Sequence, residues 1–108
     1  MSPTATRTSL PLPLGAIAEL CRRFGVERLD VFGSVLRDDF GPDSDIDFLV
    51  VFGEDGFTLL GFQEFQDELA RLVGRDVDLI RREAVERSPN YILRRSILST
   101  ARPIYVRR

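Results

Sequence analysis

A chain of 108 residues has room for one domain and one core, and its 44% apolar and 30% charged content is that of an ordinary soluble protein. It contains no histidine, which excludes Ser–His and Cys–His catalysis and histidine-ligated zinc; all 15 basic residues are arginines, which excludes a P-loop or Schiff-base lysine. The net charge of −2 offers no general basic footprint for a nucleic-acid duplex.

Met1–Pro13 is rich in Thr, Ser and Pro and has no signal-like apolar centre, so residues 1–13 read as a flexible tail before a domain over 14–108. No apolar run approaches the roughly 20 residues of a membrane span, so the cytoplasm is the expected compartment and no membrane partner is expected. Leu14–Phe24 places Ile17, Leu20, Cys21 and Phe24 on one helical face, and Gly25 ends it. The lone Cys21 cannot form an internal disulfide and reads as a small core residue.

Val26–Phe32 follows as a strand, ended by Gly33-Ser34, and Val35–Ser44 is polar and turn-rich. Asp45–Phe52 reads as a second strand, two acidic residues followed by an apolar run suited to a strand covered on both faces. After a turn at 53–56, Thr58–Val73 repeats Leu59, Phe62, Phe65, Leu69 and Leu72 at helical spacing up to Gly74. Asp76–Ile80 is a third strand, and Ser88-Pro89 opens a short helix to Ile97 or Leu98. Pro103–Val106 adds an edge strand. The order α-β-β-α-β-α-β predicts a compact α/β or α+β domain.

The informative stretch is Gly33–Phe52. A Gly-Ser pair ends one strand, ten residues intervene, and Asp45-Ile46-Asp47 opens the next. Residues two apart on a strand point to the same side, roughly 7 Å apart, so two carboxylates there can converge on a pair of metals about 4 Å apart. Mg²⁺ is the natural cation, because it accepts a few carboxylates and completes its shell with water and phosphate oxygens. Asp78, flanked by Val77 and Leu79 of opposite parity, supplies a third carboxylate if its strand lies beside the second. Gly33 allows close backbone approach to a phosphate, the Ser34 hydroxyl can donate to it, and Arg37 could clamp it.

Blander readings stand beside these. Asp45 and Asp47 could be a solvated strand entry after an Asx turn at Asp43-Ser44, Ser34 a turn or helix cap, and Arg37 a solvent-facing arginine. Asp76 shares the parity of Asp78 and could replace it. Asp43, Asp45, Asp47 and Glu54 match EF-hand ligand spacing, but Phe48 stands where that loop needs glycine.

The Gly33-Ser34, Asp45-x-Asp47 and Asp78 pattern resembles the signature of the polymerase-β nucleotidyltransferase superfamily. The nearer resemblance is to the minimal nucleotidyltransferases, the antitoxin partners of HEPN-domain toxins, and it runs from about Phe24 through Ile104-Tyr105. It implies a polymerase-β-like palm, a short mixed sheet with helices packed on one face. By that resemblance Asp45, Asp47 and Asp78 bind two Mg²⁺ ions, and Gly33, Ser34, Arg37 and Ser44 hold ATP. The implied reaction transfers AMP from ATP to a tyrosine of a HEPN-type RNase toxin and silences it. Leu36 and Asp38 depart from the pattern, where many members carry a small residue and a glycine, and could alter the fit around the phosphates. Two alternatives share the residues: the same chemistry on a small acceptor such as an aminoglycoside, and a silent antitoxin that acts by binding only. Homo- and hetero-oligomers both stay open.

Overall fold

Helix α1 (Leu14–Arg23) forms because Ile17, Leu20 and Cys21 recur on one face, and all three are buried. It ends where Gly25 adopts φ +70°, which a residue with a Cβ rarely takes. The chain, a computed structural model that describes residues 12–33, 45–54 and 58–107, then runs into β1 (Val26–Phe32) and β2 (Ile46–Phe52). Helix α2 (Leu59–Val73) is capped by Thr58, whose hydroxyl accepts from the Gly61 amide at 2.9 Å, and is closed by Gly74 in the left-handed region. Strand β3 (Val77–Arg81), helices α3 (Arg82–Glu86) and α4 (Tyr91–Thr100), and β4 (Arg102–Val106) complete the order.

The four strands form one sheet in the order β3-β2-β1-β4. Strand β1 pairs antiparallel with β2 and β4, while β2 and β3 are parallel and joined through α2, as a parallel pair requires. Strand β4 is the edge strand expected from Pro103–Val106, and its Pro103 suits an edge because proline lacks a ladder donor.

Two apolar clusters divide the sheet. On one face Leu29, Val31, Ile46, Phe48, Val50, Val77 and Leu79 meet Ile17, Leu20 and Cys21 of α1 and Phe65 and Leu69 of α2. Burial of a side chain such as Phe48 or Phe65, each fully enclosed, contributes roughly 1.5–3 kcal/mol. On the other face Phe32, Leu49 and Val85 form a smaller cluster joined by Ile80, Ile97, Leu98 and Ala101.

That second cluster corrects the expectation of helices on one face. The two longer-range helices, α1 and α2, do share a face, but α3 and α4 pack on the opposite one, because Phe32, Leu49 and Ile80 give it an apolar patch of the other parity. The C-terminal helix also begins later than Ser88-Pro89. Asn90 is its cap, its side-chain oxygen accepting from the Leu93 amide at 3.0 Å, while the Ser88 hydroxyl accepts from the Asn90 amide. The five-residue α3 was not expected at all, since so short a helix shows no period.

Candidate active site

Strands β2 and β3 start side by side. The Ile46 amide donates to the Asp76 carbonyl at 3.1 Å, and the parallel register that follows sets Asp47 directly opposite Asp78. Facing residues on neighbouring strands project to the same side, so these carboxylates share a face, and it is the face away from the larger core. Asp45 lies two residues before Asp47, just ahead of β2, and is exposed, as are Asp76 and Asp78; Asp47 is half-buried.

Gly33 completes this end of the sheet. Strand β1 pairs Phe32 with Asp47, so the next residue passes the Asp47 side chain. Gly33 has φ +79°, and a Cβ built there would overlap Oδ2 of Asp47 and stand 3.3 Å from its Cγ. A glycine is required twice over, by backbone conformation and by space. The three other expected phosphate-site residues, Ser34, Arg37 and Ser44, lie outside the described residues.

The described carboxylates suit a hard divalent cation. Like charges held in register repel, and Asp47 opposite Asp78 is such a pair. Among the described residues no three or more acidic, cysteine or histidine side chains are gathered so as to hold a metal ion by themselves. Mg²⁺ binds through one or two carboxylates and takes its other oxygens from water and phosphates, so the facing pair Asp47 and Asp78 is the part of this face that could serve it. Of the three expected aspartates, Asp47 and Asp78 are brought to one face and one end of the sheet, while Asp45, like Asp76, stands ahead of its strand.

A further charged group on this face escaped the sequence reading. Asp30 of β1 is 1% exposed, and both its oxygens are engaged by Arg28, from Nε at 2.8 Å and from Nη2 at 3.1 Å. The Arg82 guanidinium adds an ion pair at 3.5 Å from Asp30 Oδ2, and its Nη1 is buried without a hydrogen bond. The hydrogen bonding of Arg28 to the accepting Asp30 carboxylate is the chief reason that the Arg28 guanidinium sits above its ordinary pKa, against the opposing effect of burial. Asp30 pairs with Leu49, one step along the face from Asp47, so this cluster forms the floor behind the acidic end and ties α3 to the sheet. The available signal was a charge within the apolar strand VERLDVF.

Residues 15–104 match the nucleotidyltransferase domain family. The chain belongs to that family and, within it, to the minimal, MntA-type nucleotidyltransferases. Over 68 residues it is 43% identical to protein adenylyltransferase MntA of Thermococcus cleftensis, which covers 63% of this chain and 68% of that protein. Its fold is also that of a toxin–antitoxin structure with AMP-PNP (24% identity, TM-score 0.66, 88% of this chain and 74% of that one). A tri-AMPylated Shewanella oneidensis HEPN toxin in complex with an MNT antitoxin is similar too (23% identity, TM-score 0.58, 86% and 69%). At these last identities the likeness is one of fold.

Proposed function

We infer that this nucleotidyltransferase moves AMP from ATP to a tyrosine hydroxyl of a HEPN-type toxin and so acts as its antitoxin. The observation that carries the reading is Asp47 set opposite Asp78, with Gly33 closed against the Asp47 carboxylate. Support for the donor and acceptor comes from the relatives: a named protein adenylyltransferase, a complex with AMP-PNP, and an AMPylated HEPN toxin bound to its antitoxin.

Asp45, Asp47 and Asp78 are the residues that would hold Mg²⁺, and the charge neutralisation it would supply there suits a triphosphate and a departing pyrophosphate. Gly33, with Ser34, Arg37 and Ser44, is assigned to hold the triphosphate, and its bare backbone lets a phosphate approach the strand end closely. The acceptor oxygen forms a bond to the α-phosphorus while the bond from that phosphorus to the β-phosphate bridging oxygen breaks. The hydroxyl proton passes to the exposed Asp78 carboxylate, and pyrophosphate departs.

The test is incubation of ATP labelled on the α-phosphate with the purified chain, its toxin and Mg²⁺. Label should enter the parent toxin and be lost when the accepting tyrosine becomes phenylalanine. Asp47→Asn should lower the rate by orders of magnitude. Equal labelling by Asp47→Asn and the parent rejects the assignment.

A further inference from the structure

Charge is divided unevenly along this chain. Residues 1–80 hold seven arginines against fifteen carboxylates, a net −8, whereas residues 81–108 hold eight arginines against two glutamates, a net +6. The division falls at the end of β3, so the fold gathers the positive part into α3, α4 and β4. Of this limb, α3 and α4 stand on the same face as the acidic end, while β4 is the sheet's edge strand. Ile97, Leu98 and Ala101 pack with Phe32, Leu49 and Ile80, and Leu49 and Ile80 lie two residues beyond Asp47 and Asp78 on the same strands. A macromolecule that brings a hydroxyl to those aspartates approaches the face on which α4 packs through its C-terminal half.

Helix α4 is committed to the fold by one side only. Arg94, Ile97 and Leu98 turn inward, and no residue of the helix is fully buried. Ile92, on the opposite side, is 77% exposed, and Tyr91 and Leu93 beside it are 57% and 50% exposed. Two arginines hold the tyrosine in place: the Arg94 guanidinium lies 5.7 Å from its ring centre, and Arg95 Nη1 donates to its hydroxyl at 3.1 Å. Arg94 is itself fixed by donating to the Ser88 carbonyl at 2.9 Å. The result is an ordered apolar centre with a cationic rim, the composition of a protein-binding surface rich in aromatic and arginine anchors.

We propose that the Tyr91–Arg95 surface of α4 docks the protein acceptor through an apolar ridge flanked by carboxylates on that partner. The proposal rests on the adenylyl-transfer reading for the acceptor's identity, and on the exposed helix and charge division for the surface. A protein is favoured over RNA because Ile92 and Leu93 gain nothing from a phosphate backbone. The Tyr91 ring, moreover, is already occupied by Arg94 and is not free to stack on a base.

The experiment uses the full chain with its co-purified toxin as acceptor, and the variants Ile92→Asp and Arg95→Glu. Both side chains are exposed, so melting temperatures should match the parent. Each variant should weaken toxin binding by at least about tenfold by calorimetry and raise KM for the toxin equally, with kcat at saturation and ATP affinity unchanged. A toxin altered to basic at its own carboxylate rim should regain Arg95→Glu and lose the parent. Parental toxin affinity in both variants, while the parent transfers AMP, overturns the docking surface and leaves the enzymatic reading intact. Tight binding of a labelled single-stranded RNA that Arg95→Glu abolishes, with toxin affinity unchanged, overturns it in favour of nucleic acid. A parent that neither binds nor labels the toxin removes the functional reading, and the surface assignment falls with it.

Discussion

Gly33 and Asp47 compete for one space at the end of the β1–β2 pair: any side chain on Gly33 would overlap the Asp47 carboxylate. Gly33→Ala should therefore do two things. The positive φ of 79° costs about 1–2 kcal/mol for a residue with a Cβ, and the added methyl must push Asp47 aside. AMP transfer should fall much further than stability, by at least about a hundredfold, because a misplacement of about 1 Å at a reacting centre is that costly. Labelled-ATP transfer measured beside a urea titration checks the two effects separately. Full activity in Gly33→Ala would mean that Asp47 has no role requiring its position.

Asp30 predicts a structural rather than a catalytic phenotype. Its carboxylate is buried between Arg28 and Arg82, so Asp30→Ala leaves two guanidinium groups without their anion, one of them with a buried nitrogen that has no hydrogen bond. The cost should be about 2–4 kcal/mol, at the lower end of broken buried pairs because Arg28 is partly exposed to water. Arg28→Met should cost less, since Arg82 stays beside Asp30. Urea unfolding of the two variants should reproduce that order; equal midpoints would show that the cluster does not tie α3 to the sheet.

The acidic end was legible because its signal is local: two aspartates two residues apart, after a Gly-Ser at fixed distance, can be read along the chain. That Asp78 faces Asp47 depends on β3 lying parallel to β2 through the α2 crossover, a non-local pairing that periodicity does not encode. The closeness of Gly33 to Asp47 likewise needs the Phe32–Asp47 register. Asp30 is not legible in the sequence as a buried residue, because a charge alternating with Leu29 and Val31 has the pattern of a solvent-facing strand residue. It is buried only because α3, too short to announce itself by period, covers that face with Arg82 and Val85. The last helix starts after Asn90, whose side chain caps it, two residues beyond the Ser88 cap that the sequence suggests.

Cys21 offers a pH signature of the core. It is fully buried, and that burial pushes its thiol up to about 12, against a small opposing effect of Arg22. In the unfolded chain the thiol ionises near its ordinary value of about 8.5. The unfolded state then holds fewer protons than the native one above that pH. Stability contributed by the neutral thiol is complete below it and is lost as pH rises toward 12, at up to about 1.4 kcal/mol per pH unit. Cys21→Ala should flatten this decline while lowering stability at pH 7 by the cost of a small cavity. Urea midpoints from pH 7 to 10.5 for both proteins test it. A thiol reagent should also fail to modify the native parent at neutral pH.

The last prediction separates a metal site from ordinary surface aspartates by stability alone. Asp78 is exposed and stands opposite Asp47 with Asp45 and Asp76 nearby, so in the metal-free protein it is one of several like charges at one end of the sheet. Asp78→Asn keeps the shape and removes one charge. In EDTA the variant should melt no lower than the parent, and higher if the repulsion between the paired carboxylates is felt across the strands. With Mg²⁺ and ATP the order should reverse. Ligand that binds the native state stabilises it in proportion to ln(1 + [L]/Kd), and at a hundred times Kd the gain is about 2.7 kcal/mol, which only the protein with its full set of carboxylates collects. If Asp78 were a solvated strand residue, the substitution would move neither curve, and Mg²⁺-ATP would shift both proteins alike. Melting both in EDTA, in Mg²⁺ alone and in Mg²⁺-ATP distinguishes these patterns. An equal ligand shift in parent and variant would remove Asp78 from the site, and the same comparison with Asp76→Asn would show whether its neighbour of the same parity is the ligand instead.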